Sequence, residues 1–439
     1  MSDVRQAQPP QSRPGQTAPM TAIAVQLGPW SPLRARVFRA LWIASLVSNV
    51  GTTMHTVGAS WAITELSTST VVISLVQAAW TIPGFLLAVP AGVFADVLDR
   101  RRLILVSQFV AMLFAAALGL LETSRHLTTP LLLAGTFFLS IVLTMSAPAF
   151  MALIPDLVEP DALPQAIGLN NISYNGAQSL GPALAGIVIA VSGPGAVFLL
   201  NAASFLGIVV VMFRFRPARP GPTSDEGVLA AMGTGVRYFR AHPRLQRFAL
   251  RIMLAFLVTS SVPALLPIDA RRRLHTTAAQ FGLLSAAIGV GAVLAVWAMP
   301  RLRRAASPDG IILAAALTWA TGASIIAFTT TLWAGVIGVL LTGAAAMATM
   351  NITYSLFMLM LPAWIRGRAS SVVMLMVWLG ASMGTVLWGT LASHLGIPHI
   401  LAIAAAAQII VVGTATARFR LETADIGGPD GEPSDTFRR

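Results

Sequence analysis

Gly92-Val93-Phe94-Ala95-Asp96-Val97-Leu98-Asp99-Arg100-Arg101-Arg102 is a charged hairpin between two long apolar stretches. A run of about 20 apolar residues crosses the hydrocarbon of a bilayer as one helix, because a helix satisfies every backbone polar group where no water reaches. Roughly a dozen such stretches fill the 439 residues, more than a soluble core could hide. Hydrophobic residues make up 56% of the chain and charged residues 10%, too little polar surface to coat a soluble body of this length. The solvent is therefore lipid.

The formal net charge of +12 rests on arginine alone, since the chain has no lysine. The arginines lie in short links between apolar runs and form no contiguous face. They read as topology signals, and no nucleic-acid partner is expected. With no cysteine there is no disulfide, thiolate ligand or cysteine nucleophile. Six histidines lack metal-ligand spacing and no Gly-rich loop with lysine is present, so no metal, cofactor or enzymatic activity is expected.

Apolar length set against charged and Gly/Pro punctuation predicts helices over 37–63, 71–94, 103–121, 130–153, 163–191 and 196–213. A second set is predicted over 248–268, 278–299, 310–329, 332–361, 369–394 and 397–417. The expected fold class is an all-α membrane protein with twelve transmembrane helices in two six-helix pseudo-repeats. Residues 1–36, rich in Pro and Gln, read as a disordered cytoplasmic tail without a secretory signal, and 37–213 as the first bundle. Residues 214–247 form a cytoplasmic linker with a basic amphipathic helix over 228–247, followed by the second bundle (248–417) and a cytoplasmic tail (418–439).

Of the 29 arginines, 25 fall around links that an even helix number puts on one side; Arg125, Arg271, Arg272 and Arg273 are the rest. Both termini are then cytoplasmic. One shift of 203 positions carries Gly181, Gly186 and Gly193 onto Gly384, Gly389 and Gly396, and Arg100 and Arg101 onto Arg303 and Arg304. Such a shift favours duplicated halves.

The hairpin resembles the loop signature of the major facilitator superfamily. Gly92, Ala95, Asp96, Arg100 and Arg101 match it, whereas Phe94, Val97 and Asp99 depart from it. In that family the loop latches one end state of alternating access. The resemblance implies a latch of Gly92, Asp96, Asp99, Arg100 and Arg101, with Gly92 allowing close helix approach and Asp96 set against the N-terminal end of helix 11 near Ala369. The alternative is a plain topology signal.

Gly168, Ala177, Gly181, Pro182, Ala185 and Gly186 resemble the family's antiporter signature, with Ala177 and Ala185 each replacing a glycine. Small residues allow close helix packing, which is also their non-functional explanation. Leu153 through Asn170, Asn201 with Ser204, and Asn49-Val50-Gly51-Thr52 with Trp61 resemble the branch that contains enterobactin exporters; His55 departs from it, glutamine being usual there.

No Asp or Glu falls in the middle of a predicted helix, which argues against dicationic substrates. His55 is the strongly titratable side chain nearest the midplane, on a stripe with Ser48, Thr52 and Thr56. It is the candidate proton carrier; the alternative is a neutral histidine bonded to a neighbouring helix. Candidate cavity residues are Asn49, Thr52, His55, Asn171, Tyr174, Asn175, Asn351 and Tyr354. Amide, aromatic and methionine groups suit a bulky amphipathic molecule.

The resulting expectation is a monomeric exporter of the inner membrane whose partners are a small molecule, protons and the lipid bilayer. A siderophore or related metabolite is the sharper substrate, a broad multidrug pump the alternative, and a lipid flippase or receptor-like protein the alternative of another class.

Overall fold

The structure, a computed structural model, describes residues 28–215, 237, 239–359, 361 and 366–418, leaving out the side chains of 88, 89, 93, 96, 244, 359, 366–371 and 415–418. The described residues are helical almost throughout: α1 (Arg36–Leu66), α2 (Thr70–Val97), α3 (Arg100–Thr123), α4 (Thr129–Leu153), α5 (Leu163–Arg214) and α6 (Pro243–Thr259) are followed by α7 (Ser261–Arg272), α8 (Ala278–Ala305), α9 (Pro308–Phe328), α10 (Leu332–Leu359), α11 (Arg366–Leu395) and α12 (Ile397–Arg418). Side chains satisfy the free amides at several starts. Ser69, Asp99 and Ser307 accept from Val72, Arg102 and Gly310, and Thr277 with Gln280 forms a reciprocal box.

Ten helical stretches among the described residues are long and apolar enough to cross a membrane. At 52 residues, α5 would be about 78 Å long if straight, against about 30 Å of hydrocarbon. It bends at Gly193, where φ is 78° and ψ 172°. The link expected between 191 and 196 is thus one non-helical residue in a glycine-tolerated conformation. Among the described residues the other glycine with positive φ is Gly396 (81°), 203 positions later (396 − 193), in the link from α11 to α12.

The helix expected over 248–268 lies within one apolar stretch, Leu245–Arg272, whose helix is interrupted at Ser260 to give α6 and α7. Two features explain the interruption: Pro263 has no N–H to give the preceding turn, and the Leu257 carbonyl accepts from both Trp388 Nε1 (2.7 Å) and Ser260 Oγ (2.8 Å). The amphipathic helix expected over 228–247 falls mostly outside the described residues. Its described end is broken at His242, and α6 starts there with Pro243.

Helices α1 and α3 pack on α5, and α2 and α3 on α4. In the later part of the chain α8 and α9 pack on α10, α9 on α12 and α6 on α11. Two seams join these groups, α5 against α8 and α2 against α11.

Candidate functional site

Both seams are tight toward one end. On α5 and α8, a Cβ added to Gly186 would lie 2.7 Å from Gly282 Cα, so two backbones touch without side chains between them. On α2 and α11, Ser382 and Thr81 share a hydroxyl hydrogen bond at 3.1 Å, and a Cβ at Gly84 would meet the Trp378 ring at 2.8 Å.

The same end is closed by charge. Arg271, just past the seam on α7, donates to Thr64 Oγ1 (2.9 Å), pairs with Glu65 (3.4 Å) and lies 5.3 Å from the centre of the Trp61 ring. Arg272 donates to the Thr68 carbonyl, and Trp61 packs on Phe281 of α8 with ring centres 5.5 Å apart. The C-terminal end of α1 is thereby fastened to the second group of helices.

Toward the other end the seams part. Gln178, Pro182 and Gly186 mark the face of α5 that meets α8, since the backbones of Gln178 and Pro182 adjoin Gly289 and Gly282. Helical spacing continues that face through Tyr174, Asn175 and Asn171. Tyr174 is 54% exposed and Asn171 is exposed, because α8 has diverged there; Val293 and Val296 of α8 are exposed as well. On the other seam, a Cβ at Gly92 would have no neighbour within 4 Å. The close approach expected at Gly92 is thus not made in this state.

The expected cavity residues divide. Asn171, Tyr174 and Asn175 share the parted face, with Asn175 donating to the Asn171 carbonyl (2.8 Å). Asn49 is half-buried and donates to Ser173 Oγ (3.1 Å), bridging α1 to α5, and Thr52 is half-buried nearby on α1. Asn351 accepts from Arg303 (2.8 Å), while Tyr354 is half-buried against the larger core.

His55 lies elsewhere than expected. It is 0% exposed, its ring packs on Phe198 with centres 4.7 Å apart, and neither nitrogen has a hydrogen-bond partner. It therefore faces the second segment of α5 inside its own group of helices. It does not line the space between the groups.

In the small-residue motif, Ala177 and Ala185 are fully buried and the Ala177 carbonyl accepts from Thr53 (2.9 Å). Gly181 abuts Thr53, and Gly186 and Pro182 abut α8, whereas Gly168 has open space around it.

At the charged hairpin, Asp99 caps α3 by accepting from Arg102 N (2.8 Å). Arg100 donates to the Ala152 carbonyl (3.1 Å) and pairs with Asp156 (3.5 Å); Arg101 donates to the carbonyls of Met212 (2.7 Å) and Phe213 (2.9 Å). These arginines bind the ends of α4 and α5, where free carbonyls favour cations. The Asp96 side chain and the start of α11 near Ala369 lie outside the described side chains. Arg303 makes the parallel contact, donating to Ser355 Oγ (2.8 Å), and both residues lie 203 positions after Arg100 and Ala152.

The contacts of Thr53, Glu65 and Arg271 to Arg273 were not legible as a site. Their one sequence signal was that Arg271 to Arg273 fall outside the positive-side count.

Residues 27–438 match the family described as transmembrane secretion effector. The chain belongs to that family. It is a major facilitator superfamily transporter near the enterobactin exporters. This secretion-effector family member is 22% identical over 260 residues to the staphyloferrin A transporter of Staphylococcus aureus, covering 59% of this chain and 66%, just under two thirds, of that one. It is 28% identical over 366 residues to the enterobactin exporter of Salmonella typhimurium, covering 81% and 85%. A bacterial homologue of the human lysosomal transporter Spinster, inward-facing and occupied, superposes with a TM-score of 0.73 at 16% identity over 91% of this chain and 99% of that one. An inward-facing bacterial homologue of ferroportin gives 0.68 at 17% identity, over 87% and 99%. At those identities the likeness shows the fold alone.

Proposed function

We propose that this protein exports a small amphipathic compound, a siderophore or related metabolite, by alternating access in exchange for protons. The observation that carries the reading is the pair of seams, tight at one end and parted at the other over a polar stripe of Asn171, Tyr174 and Asn175. A substrate entering from the open end would meet amide and phenol groups, which bind polar atoms while the surrounding helices cover apolar ones.

Twelve crossings in two groups of six are supported by the ten apolar stretches together with α1 and the second segment of α5. The matched glycine turns at Gly193 and Gly396, and the matched contacts of Arg100 and Arg303, support duplicated halves. The open end carries Arg100 to Arg102 and Arg301, Arg303 and Arg304, so the positive-inside tendency makes it cytoplasmic, in the inner membrane with both termini inside. When the two groups rock the other way, α2 meets α11 near Gly92, and Asp96 braces the start of α11. The transporter works as a monomer.

Secretion by a bacterium lacking its own enterobactin exporter tests the reading. Expression of this chain is expected to restore enterobactin in the medium. Resistance to ethidium without restored secretion would favour the multidrug reading, and neither effect would overturn export.

A further inference from the structure

We propose that Glu65 and Glu122 form a proton-binding site that fills from outside when the closed end opens, so that external acid favours opening. This rests on the orientation and alternating access proposed above. Glu65 lies in the last turn of α1. Its Oε1 accepts from Trp61 Nε1 at 3.0 Å and stands 3.4 Å from Arg271 Nη1. The ion pair is reached by water, with 40% of the Glu65 side chain and 37% of the Arg271 side chain exposed.

The two partners belong to different groups of helices. Two residues beyond Arg271, Arg273 donates to the carbonyls of Ala327 (2.8 Å) and Thr329 (3.0 Å) at the end of α9, and it also binds Asp269 (2.6 Å) of its own turn. Arg271 is thereby anchored to the second group, and parting the closed end carries it away from Glu65. Glu122, in the last turn of α3, stays behind, because α1 and α3 both pack on α5. It is near enough to Glu65 for the two charges to repel.

With the end closed, Arg271 offsets this repulsion. With Arg271 gone, two carboxylates share the site, and one bound proton relieves them both. The open state therefore binds the proton more tightly than the closed one, and by linkage it gains as pH falls. Hydronium outside gives its proton to a carboxylate oxygen, where an O–H bond forms, and leaves as water. When Arg271 returns, that bond breaks with outside water as acceptor. No proton crosses the membrane here, so the site sets how readily the end opens and is separate from the proton exchanged for substrate.

The other charged and titratable groups around Glu65 are Arg125 and His126 after α3, Asp269, Arg272 and Arg273 at the end of α7, and His275 before α8. His394 closes α11 and His399 opens α12. The helix α4 carries no such group, and those of α2, α5 and α8 lie toward the other end. Arg272 is held by the Thr68 carbonyl.

The chain has no cysteine, so spin labels can be placed at exposed Thr128 and Thr330, which lie in the links at the closed end of the two groups. Distances are measured in detergent without substrate at pH values between about 4 and 7, where paired carboxylates titrate. Acid is expected to raise the open-to-closed ratio of the unsubstituted protein, by about tenfold for each unit by which the two states differ in proton affinity. Glu65→Gln removes both the ion pair and the proton site, and is expected to be more open throughout with the acid response lost. Glu122→Gln leaves the Arg271 pair intact and is expected to move the response to lower pH by about half a unit to one unit. A Glu65→Gln profile identical to the unsubstituted one would assign the titration to His126 or His275 and overturn the proposal. Closure in acid, or an unmoved response in Glu122→Gln, would overturn it as well. Because no substrate or gradient is present, failure here is distinct from failure of export.

Discussion

Gly186 shows what one missing side chain does at the residue scale. A Cβ there would stand 2.7 Å from Gly282 Cα and 3.0 Å from the Ala278 carbonyl, which are backbone atoms that cannot turn aside. Gly186→Val is therefore expected to lower stability by about 1–3 kcal/mol and to part α5 from α8, measured as a fall in the thermal midpoint in detergent. An unchanged midpoint would mean that the seam is not packed as described. The sequence marked Gly186 as small-residue packing, but equally marked Gly168, which has open space. Composition along a helix does not say where a neighbour comes closest.

His55 illustrates the same limit for a polar stripe. Thr52, His55 and Thr56 share helical spacing, yet a stripe is wide enough for Asn49 and Thr53 to reach α5 near Ser173 and Ala177 while His55 turns to Phe198. Its placement favours the packing role over that of proton carrier. His55→Gln is expected to lower the thermal midpoint while uphill transport in proteoliposomes persists. Loss of uphill transport with the midpoint intact would return the coupling role to His55.

At the scale of elements, the closed end depends on the last turn of α7 reaching the end of α1. Arg271 and Thr64 are 207 positions apart, so no local pattern announces the contact. The positive-inside count did single out Arg271 to Arg273 as exceptions, which is as far as a sequence can point without the fold. The exposed Arg271–Glu65 pair alone contributes only about 0–1 kcal/mol. Arg271→Glu loses more, since it also removes the Trp61 and Thr64 contacts and sets two acids together. Spin-label distances should show a several-fold shift toward opening in Arg271→Glu, and partial recovery when Glu65→Arg is added. Equal opening in the single and double variants would show that the charges do not hold this end. The split of α6 from α7 was hidden for a similar reason: Pro263 is visible in the sequence, whereas Trp388 arrives at Leu257 from α11.

Across the whole molecule, the helical membrane class and the family were legible because lipid imposes a length and an apolarity that few other folds share. The state was not legible, since both ends of a rocking transporter are encoded in the same residues and the balance between them is a small free energy. The arginine distribution, with the open end carrying Arg100 to Arg102 and Arg303, supports a cytoplasmic open end, and export from it is the proposed direction. Inverted membrane vesicles, whose interior corresponds to the outside of the cell, test it most directly. When respiration acidifies the interior, vesicles containing this protein are expected to accumulate labelled enterobactin or staphyloferrin A, and a protonophore is expected to abolish the accumulation. Accumulation only in right-side-out vesicles, or accumulation unaffected by the protonophore, would contradict proton-driven export.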